Sequence, residues 1–211
     1  IITDLNLNYE IIDEKIRNYN PQFAIGSITT QNPYPFDKVK KGRTIYLTIN
    51  ADEVPLTSFP AITDKPFRYA KSILEGFNLK IGDIFYKNDI ARYVVLKSEH
   101  NGLLIKKSDS LPVFSSVDLY IGTGLPKNQF EFKVPKLHGV LLHDAENILK
   151  ENFLNIGDVY IDKLVTDSIN LFVYKQSEKP TNYTKIFKFS SKTKAPSIDL
   201  WVTNDSTKLI N

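Results

Sequence analysis

The stretch AKSILEGFNLKIGDIFY, residues 70–86, decides the fold, because it returns as AENILKENFLNIGDVYI at residues 145–161. The two align without gaps, 75 residues apart, with seven identities in 17 positions, so the chain contains an internal repeat. A Val-Pro pair precedes each copy, Val54-Pro55 and Val134-Pro135, and the first copy carries five extra residues between that pair and its alanine. Ala70, Ile73, Leu74 and Phe77 stand at i, i+3, i+4 and i+7. Ala145, Ile148, Leu149 and Phe153 keep nearly that spacing, which predicts one apolar helix face in each copy. Pro66 suits a first helical turn, where a missing N–H costs nothing, and Asp144 places an acid where the helix dipole favours it.

A helix with one apolar face needs a sheet to cover. Three candidate strands follow each helix: LKIGDIFY, YVVLKSE and VDLYIG in one copy, LNIGDVYI, LFVYKQSE and IDLWVT in the other. Each unit reads as α+β, one helix packed on a three-stranded β-sheet. Upstream, RTIYLTIN matches the last strand, ITTQNP the strand before it, and LNLNYEII from Leu5 the first. No room is left for a helix there, so a first unit that has lost its helix to truncation is expected. The units fall at 1–51, 52–124 and 134–204. ADEVP at 51–55 and GTGLPKNQFEFKVP at 122–135 read as linkers, which implies an elongated, beaded arrangement.

Composition narrows the function classes. With 42% hydrophobic and 24% charged residues the chain is of globular type, and its 27 basic and 24 acidic side chains are spread along the length. The net charge of +3 offers no concentrated basic surface, and a nucleic-acid partner is not expected. The absence of cysteine excludes disulfides, thiolate metal sites and cysteine nucleophiles. No apolar run approaches the roughly 20 residues needed to span a bilayer, and no signal peptide is visible. The absence of methionine, even at position 1, suggests a trimmed or processed chain, so an upstream anchor would lie outside this sequence.

Catalytic patterns are weak. SKTK at 191–194 is a formal SxxK and SIN at 168–170 a formal SxN, but their order is reversed relative to the transpeptidase set and KTG is missing. A serine nucleophile also needs a base and an oxyanion hole, for which units of this size leave no room. His138 and His143 are five apart, off the i, i+4 spacing that puts two ligands on one helix face, and His100 stands alone. Gly122 and Gly124 form a lone GxG with no helix behind it. No catalytic residue, cofactor or metal is expected.

The segment ITTQNPYPFDKVKKGRTIYLTIN, residues 28–50, adds a family resemblance. With the Val-Pro starts and the helices carrying an Ala and a Leu-Leu-like pair, it resembles the PASTA domain, found beside bacterial penicillin-binding proteins and on the outer part of serine/threonine kinases. That family closes each unit with Gln-x-Pro-x-Pro, a glycine and an alternating-strand hairpin, matched here at Gln31, Pro33, Pro35, Val39 and Gly42. The resemblance covers nearly all of residues 1–204, and three such units without another domain look like the short PASTA proteins of Bacteroidetes-type bacteria, in which a membrane helix precedes the repeats. The other copies depart: LKSEHNGLLIKKSDSLPVF replaces the proline hairpin in the second, and QSEKPTNYTKIFKFSSKTKAP keeps Gln176 and Pro180 but not the glycine corner in the third.

The resemblance implies a non-enzymatic, periplasmic or otherwise extracytoplasmic protein associated with the cell wall. It would be held at the inner membrane by an upstream N-terminal segment, and would recognise peptidoglycan fragments or muropeptides weakly and multivalently or act as a spacer. The alternative is a protein-interaction scaffold that regulates a wall-building enzyme without binding glycan. Ile45, Leu47 and Ile49, Val117, Leu119 and Ile121, and Ile198, Leu200 and Val202 alternate toward the helix. Tyr46, Tyr120 and Trp201 lie on the opposite face and are read as one recurring aromatic position, able to stack on sugar rings or simply to pack across strands. Lys40, Lys41 and Arg43, at the glycine corner, could meet stem-peptide carboxylates or remain solvated.

Overall fold

The computed structural model describes residues 5–12, 19–51, 53–124, 129–162, 165, 170–188 and 192–209. Ser168 and Ser191, which head the two formal serine motifs, lie outside the described residues. The chain divides into two compact units, Ile1–Thr57 with Ser110–Val113, and Ser58–Asp109 with Phe114–Asn211.

The first unit is built on β1 (Asn8–Ile12), β2 (Ile28–Asn32) and β3 (Thr44–Ile49) in the order β1-β3-β2, with β4 (Leu56–Ser58) beyond them. β3 runs parallel to β1 and antiparallel to β2. Its alternation buries Ile45 and Leu47 on one face, yet Ile11, the register partner of Leu47, is 48% exposed.

The second unit holds two repeats. The earlier one comprises α1 (Phe67–Gly76), β5 (Lys80–Lys87), β6 (Val95–His100), β7 (Leu103–Leu104) and, after β8 (Ser110–Pro112), which pairs with β4 and belongs to the first unit, β9 (Ser116–Gly122). The later one comprises β10 (Gln129–Phe132), α2 (Leu142–Glu151), β11 (Asn155–Ile161), β12 (Phe172–Gln176), β13 (Lys185–Lys188), β14 (Lys192–Lys194) and β15 (Ser197–Thr203). Its sheet is β11-β15-β12, the same parallel-then-antiparallel plan as the first unit. The chain is α+β, but one helix per unit does not hold throughout: among the described residues both α-helices belong to the second compact unit.

Helix ends explain why the repeat motif reads as it does. Asn78 and Phe153 take left-handed backbone (φ 55 and 59), and Leu79 N–H and Leu154 N–H reach back to Leu74 O and Leu149 O, each at 2.9 Å. That closure satisfies late helix carbonyls and turns the chain into its strand. Asn6, two residues before β1, has the same left-handed backbone (φ 53). The apolar stripe of α1 is Phe67, Ala70 and Leu74, not the expected set ending in Phe77, which falls past the helix end and is 40% exposed.

Two expectations are corrected. The stretch 122–135, read as a linker, contains β10, which pairs antiparallel with β13, and Phe130 within it is 1% exposed. Its glycines and proline suggested a tether, but the Phe-Glu-Phe alternation at 130–132 makes a strand with one apolar face. The second and third repeats are likewise not beads on a string. β14 pairs antiparallel with β5 and extends the earlier repeat's sheet to five strands, β14-β5-β9-β6-β7. Asn155, fully buried, accepts from Ile84 N–H at 2.8 Å and donates to Ile84 O and Ala195 O at 3.1 Å. Its carboxamide thereby continues the pairing of the β5 edge past Phe85, where the register with β14 ends. Phe153 completes the joint, stacking on Tyr93 at 4.7 Å and packing on Phe67 at 5.0 Å.

Candidate functional site

One constellation recurs on the sheet face turned away from each helix. In the later repeat, Tyr160 on β11 stacks on Trp201 on β15 with ring centroids 4.9 Å apart, and Lys175 on β12 places its ammonium 4.5 Å from the indole centroid. In the earlier repeat, Phe85 on β5 stacks on Tyr120 on β9 at 4.9 Å, and Lys97 on β6 lies 4.0 Å from the phenol centroid. The register makes these triads equivalent: Phe85 and Lys97 both pair with Tyr120, as Tyr160 and Lys175 do with Trp201. Stacked rings and a cation over a π-face are favourable cross-strand contacts in their own right.

A second shared device orients the face. Asp118 Oδ1 accepts from Asp83 N–H at 2.7 Å, and Asp199 Oδ1 accepts from Asp158 N–H at 3.0 Å. Each carboxylate fills the space beside the preceding glycine, since a Cβ on Gly82 or Gly157 would stand 2.3 or 2.0 Å from it. The glycine at 82 and 157 is thus required by a carboxylate on the last strand, and the residue that follows it contributes its backbone N–H. The sequence shows both halves of that device, but only the fold joins them.

The two triads differ in access. Tyr160 is 45% exposed, Trp201 is half-buried, and Asp158 stands within 3.4 Å of the Tyr160 hydroxyl, its charge holding that phenol above its usual range. Tyr120 is 1% exposed, and its hydroxyl donates to Glu99 Oε2 at 2.5 Å while Lys97 pairs with the same carboxylate. Burial, with the Glu99 carboxylate beside it, pushes the Tyr120 phenol up to about 12. The later repeat therefore presents an aromatic platform, and the earlier repeat has closed its counterpart.

Tyr46 does not share that position. It pairs with Glu10 and Asn32 and is 36% exposed, whereas Thr48 occupies the place of Tyr120 and Trp201. Counting from the buried Leu47, Leu119 and Leu200 shows the slip: Tyr46 precedes its leucine and the other two aromatics follow theirs. Lys40 and Arg43, with Lys38, Pro33, Asp37 and Val39, line a shallow depression of about 580 Å³ in the first unit, and Lys41 is exposed on the same hairpin.

Between α1 and α2 lies a cleft of about 310 Å³ with Lys71, Lys80, His143, Glu146 and Lys150 in its wall. Lys71 is held by Glu151 at 2.9 Å. Lys150, 5% exposed, donates to Gly82 O and, at 3.2 Å, to Asn155 Oδ1; burial pulls its amine below the usual lysine range. These cations tie the repeats together. The histidines also serve local structure: His100 Nδ1 lies 2.8 Å from Ser116 O and His138 Nδ1 3.2 Å from Tyr174 O.

No protein-family model and no curated protein sequence matches the chain. Among solved structures it is similar to the entire extracellular region of the Ser/Thr kinase PrkC from Staphylococcus aureus, with 15% identity and a TM-score of 0.39, covering 96% of this chain. The chain spans 64% of the length of that region. It is also similar to the three-PASTA-domain of a Ser/Thr kinase from Staphylococcus aureus, with 14% identity and a TM-score of 0.34, covering 97% of this chain and 91% of that one.

Proposed function

We propose that this chain is a non-enzymatic, extracytoplasmic protein associated with the cell wall, which recognises peptidoglycan fragments weakly through its third repeat. The observation that supports the reading is the open platform of Tyr160 and Trp201. An exposed ring pair offers a flat apolar face to sugar C–H groups, while Asp158 and Asp199 at its edge can accept from sugar hydroxyls and Lys175 offers an ammonium to an acidic substituent. The PASTA resemblance supplies the wall context. Because Tyr120 is buried, recognition rests on one repeat instead of equal engagement by three. The linked repeats then position that site, and avidity would require several copies of the protein.

The test is co-sedimentation with purified sacculi. Binding of the intact chain should fall when Tyr160 or Trp201 is replaced by Ala and should disappear once a muramidase has digested the sacculi. Undiminished binding by a folded Tyr160→Ala, Trp201→Ala chain would sink the platform. A scaffold that touches a wall-building enzyme without glycan is favoured by one feature, the uncovered apolar side chains Tyr9, Ile11 and Ile28 on the first sheet. It predicts crosslinking to such an enzyme with no sacculus binding.

A further inference from the structure

The hairpin between β2 and β3 has a tip that the protein does not use internally. Phe36 is fully exposed, at 103% of its reference area, in left-handed backbone with φ 71. That conformation favours glycine, and a bulky side chain there costs free energy that no internal contact of its ring offsets. The turn is nonetheless well held: Asp37 Oδ2 accepts from Tyr34 N–H at 3.1 Å, and Asp37 N–H donates to Tyr34 O at 3.2 Å. Tyr34 beside it is 77% exposed, and Val39 is 36% exposed. An ordered turn thus presents two aromatic rings outward.

Around these rings stand Lys38, Lys40, Lys41 and Arg43, all exposed, with Asp37 as the one acidic residue of the loop. None of the four has an ion pair or side-chain hydrogen bond among the described residues. Lys38, Lys40 and Arg43 surround the depression described above, which is open to solvent and wide enough for a phosphate-bearing headgroup. Aromatic rings at a tip and unpaired cations on its shoulders match the layering of a bilayer surface: amphipathic rings settle at headgroup depth, and lysines and arginines meet the anionic phosphates above. A free inorganic anion would engage the cations without using a fully solvated phenylalanine.

We propose that residues 34–43 form a peripheral membrane-contact loop that docks on an anionic phospholipid surface, with Phe36 and Tyr34 entering the headgroup layer and Lys38, Lys40, Lys41 and Arg43 binding lipid phosphates. The site is independent of the Trp201 platform, and vesicles carry no glycan, so the two readings fail separately.

The experiment is co-sedimentation of the full chain with phosphatidylglycerol-containing vesicles and with pure phosphatidylcholine vesicles. The chain should prefer the anionic vesicles, and added salt should weaken binding. Phe36→Gly, which suits the backbone and leaves the fold intact, should lower partition about tenfold. Lys40→Glu with Arg43→Glu should remove the anionic preference, and millimolar inorganic phosphate should not displace the wild-type chain. Equal partition of Phe36→Gly and wild type, no preference for the anionic vesicles, or displacement by free phosphate would each overturn the proposal.

Discussion

The loop that follows the second strand has opposite fates in the first and third repeats. In the first it is the short proline hairpin, with Phe36 and four cations facing solvent. In the third it is longer and turned inward: β13 pairs with β10, and β14 pairs with β5 of the preceding repeat. The inward loop carries strand residues such as Lys185-Ile186-Phe187-Lys188 where the outward one carries its prolines and glycine. A loop that departs from its repeat is here a loop recruited as structure, and one that keeps the pattern remains available as surface.

The sharpest way to break that contrast is at the joint. Asn155→Ala removes four hydrogen bonds and leaves the Ile84 N–H without its Oδ1 acceptor, while Ile84 O keeps only the Ala195 N–H, so urea denaturation should show a loss of about 2–4 kcal/mol. An unchanged midpoint would mean that the repeats do not depend on each other.

Lys150 tests the same joint through pH. Its folded-state pKa lies below the ordinary 10.5, so the native chain releases this proton first. Between the two values unfolding takes a proton up, and stability rises with pH across that window. Lys150→Met should abolish this rising component, measured as the difference between the two proteins in urea melts from neutral to alkaline pH.

The closed triad responds with the other sign. The Tyr120 phenol is raised from 10.0 to about 12, so its contribution is full below pH 10 and is lost as pH rises through about 12. Tyr120→Phe should cost about 1 kcal/mol at neutral pH through the lost bond to Glu99 and should flatten the alkaline decline. The smallest effect belongs to the outward hairpin. Phe36→Gly should leave thermal stability within about 1 kcal/mol of wild type, because relief of the left-handed strain is offset by added freedom in the unfolded chain.

Much of the fold was legible because local signals agreed. The gapless match at 70–86 and 145–161 located both helices and their first strands, and alternation located the last strands. What stayed hidden depends on contacts between distant segments. Asn155 looks like any strand residue until Ile84 stands beside it, and β10 was masked by the glycines and proline around it. For the site, Trp201 was visible as a strand aromatic, but its partners Tyr160 and Lys175 come from different strands and needed the register. The same register separates Tyr46 from Trp201, since alternation fixes which face a residue occupies but not its level along the strand.

Trp201 is the only tryptophan in the chain, so its fluorescence reports on the platform alone. The most direct test of wall-fragment recognition is to titrate the protein with muramidase-released muropeptides while following that emission. A saturable change is expected, which Tyr160→Ala reduces or removes. Emission unchanged up to saturating muropeptide, in a chain whose urea melt is native, would contradict it.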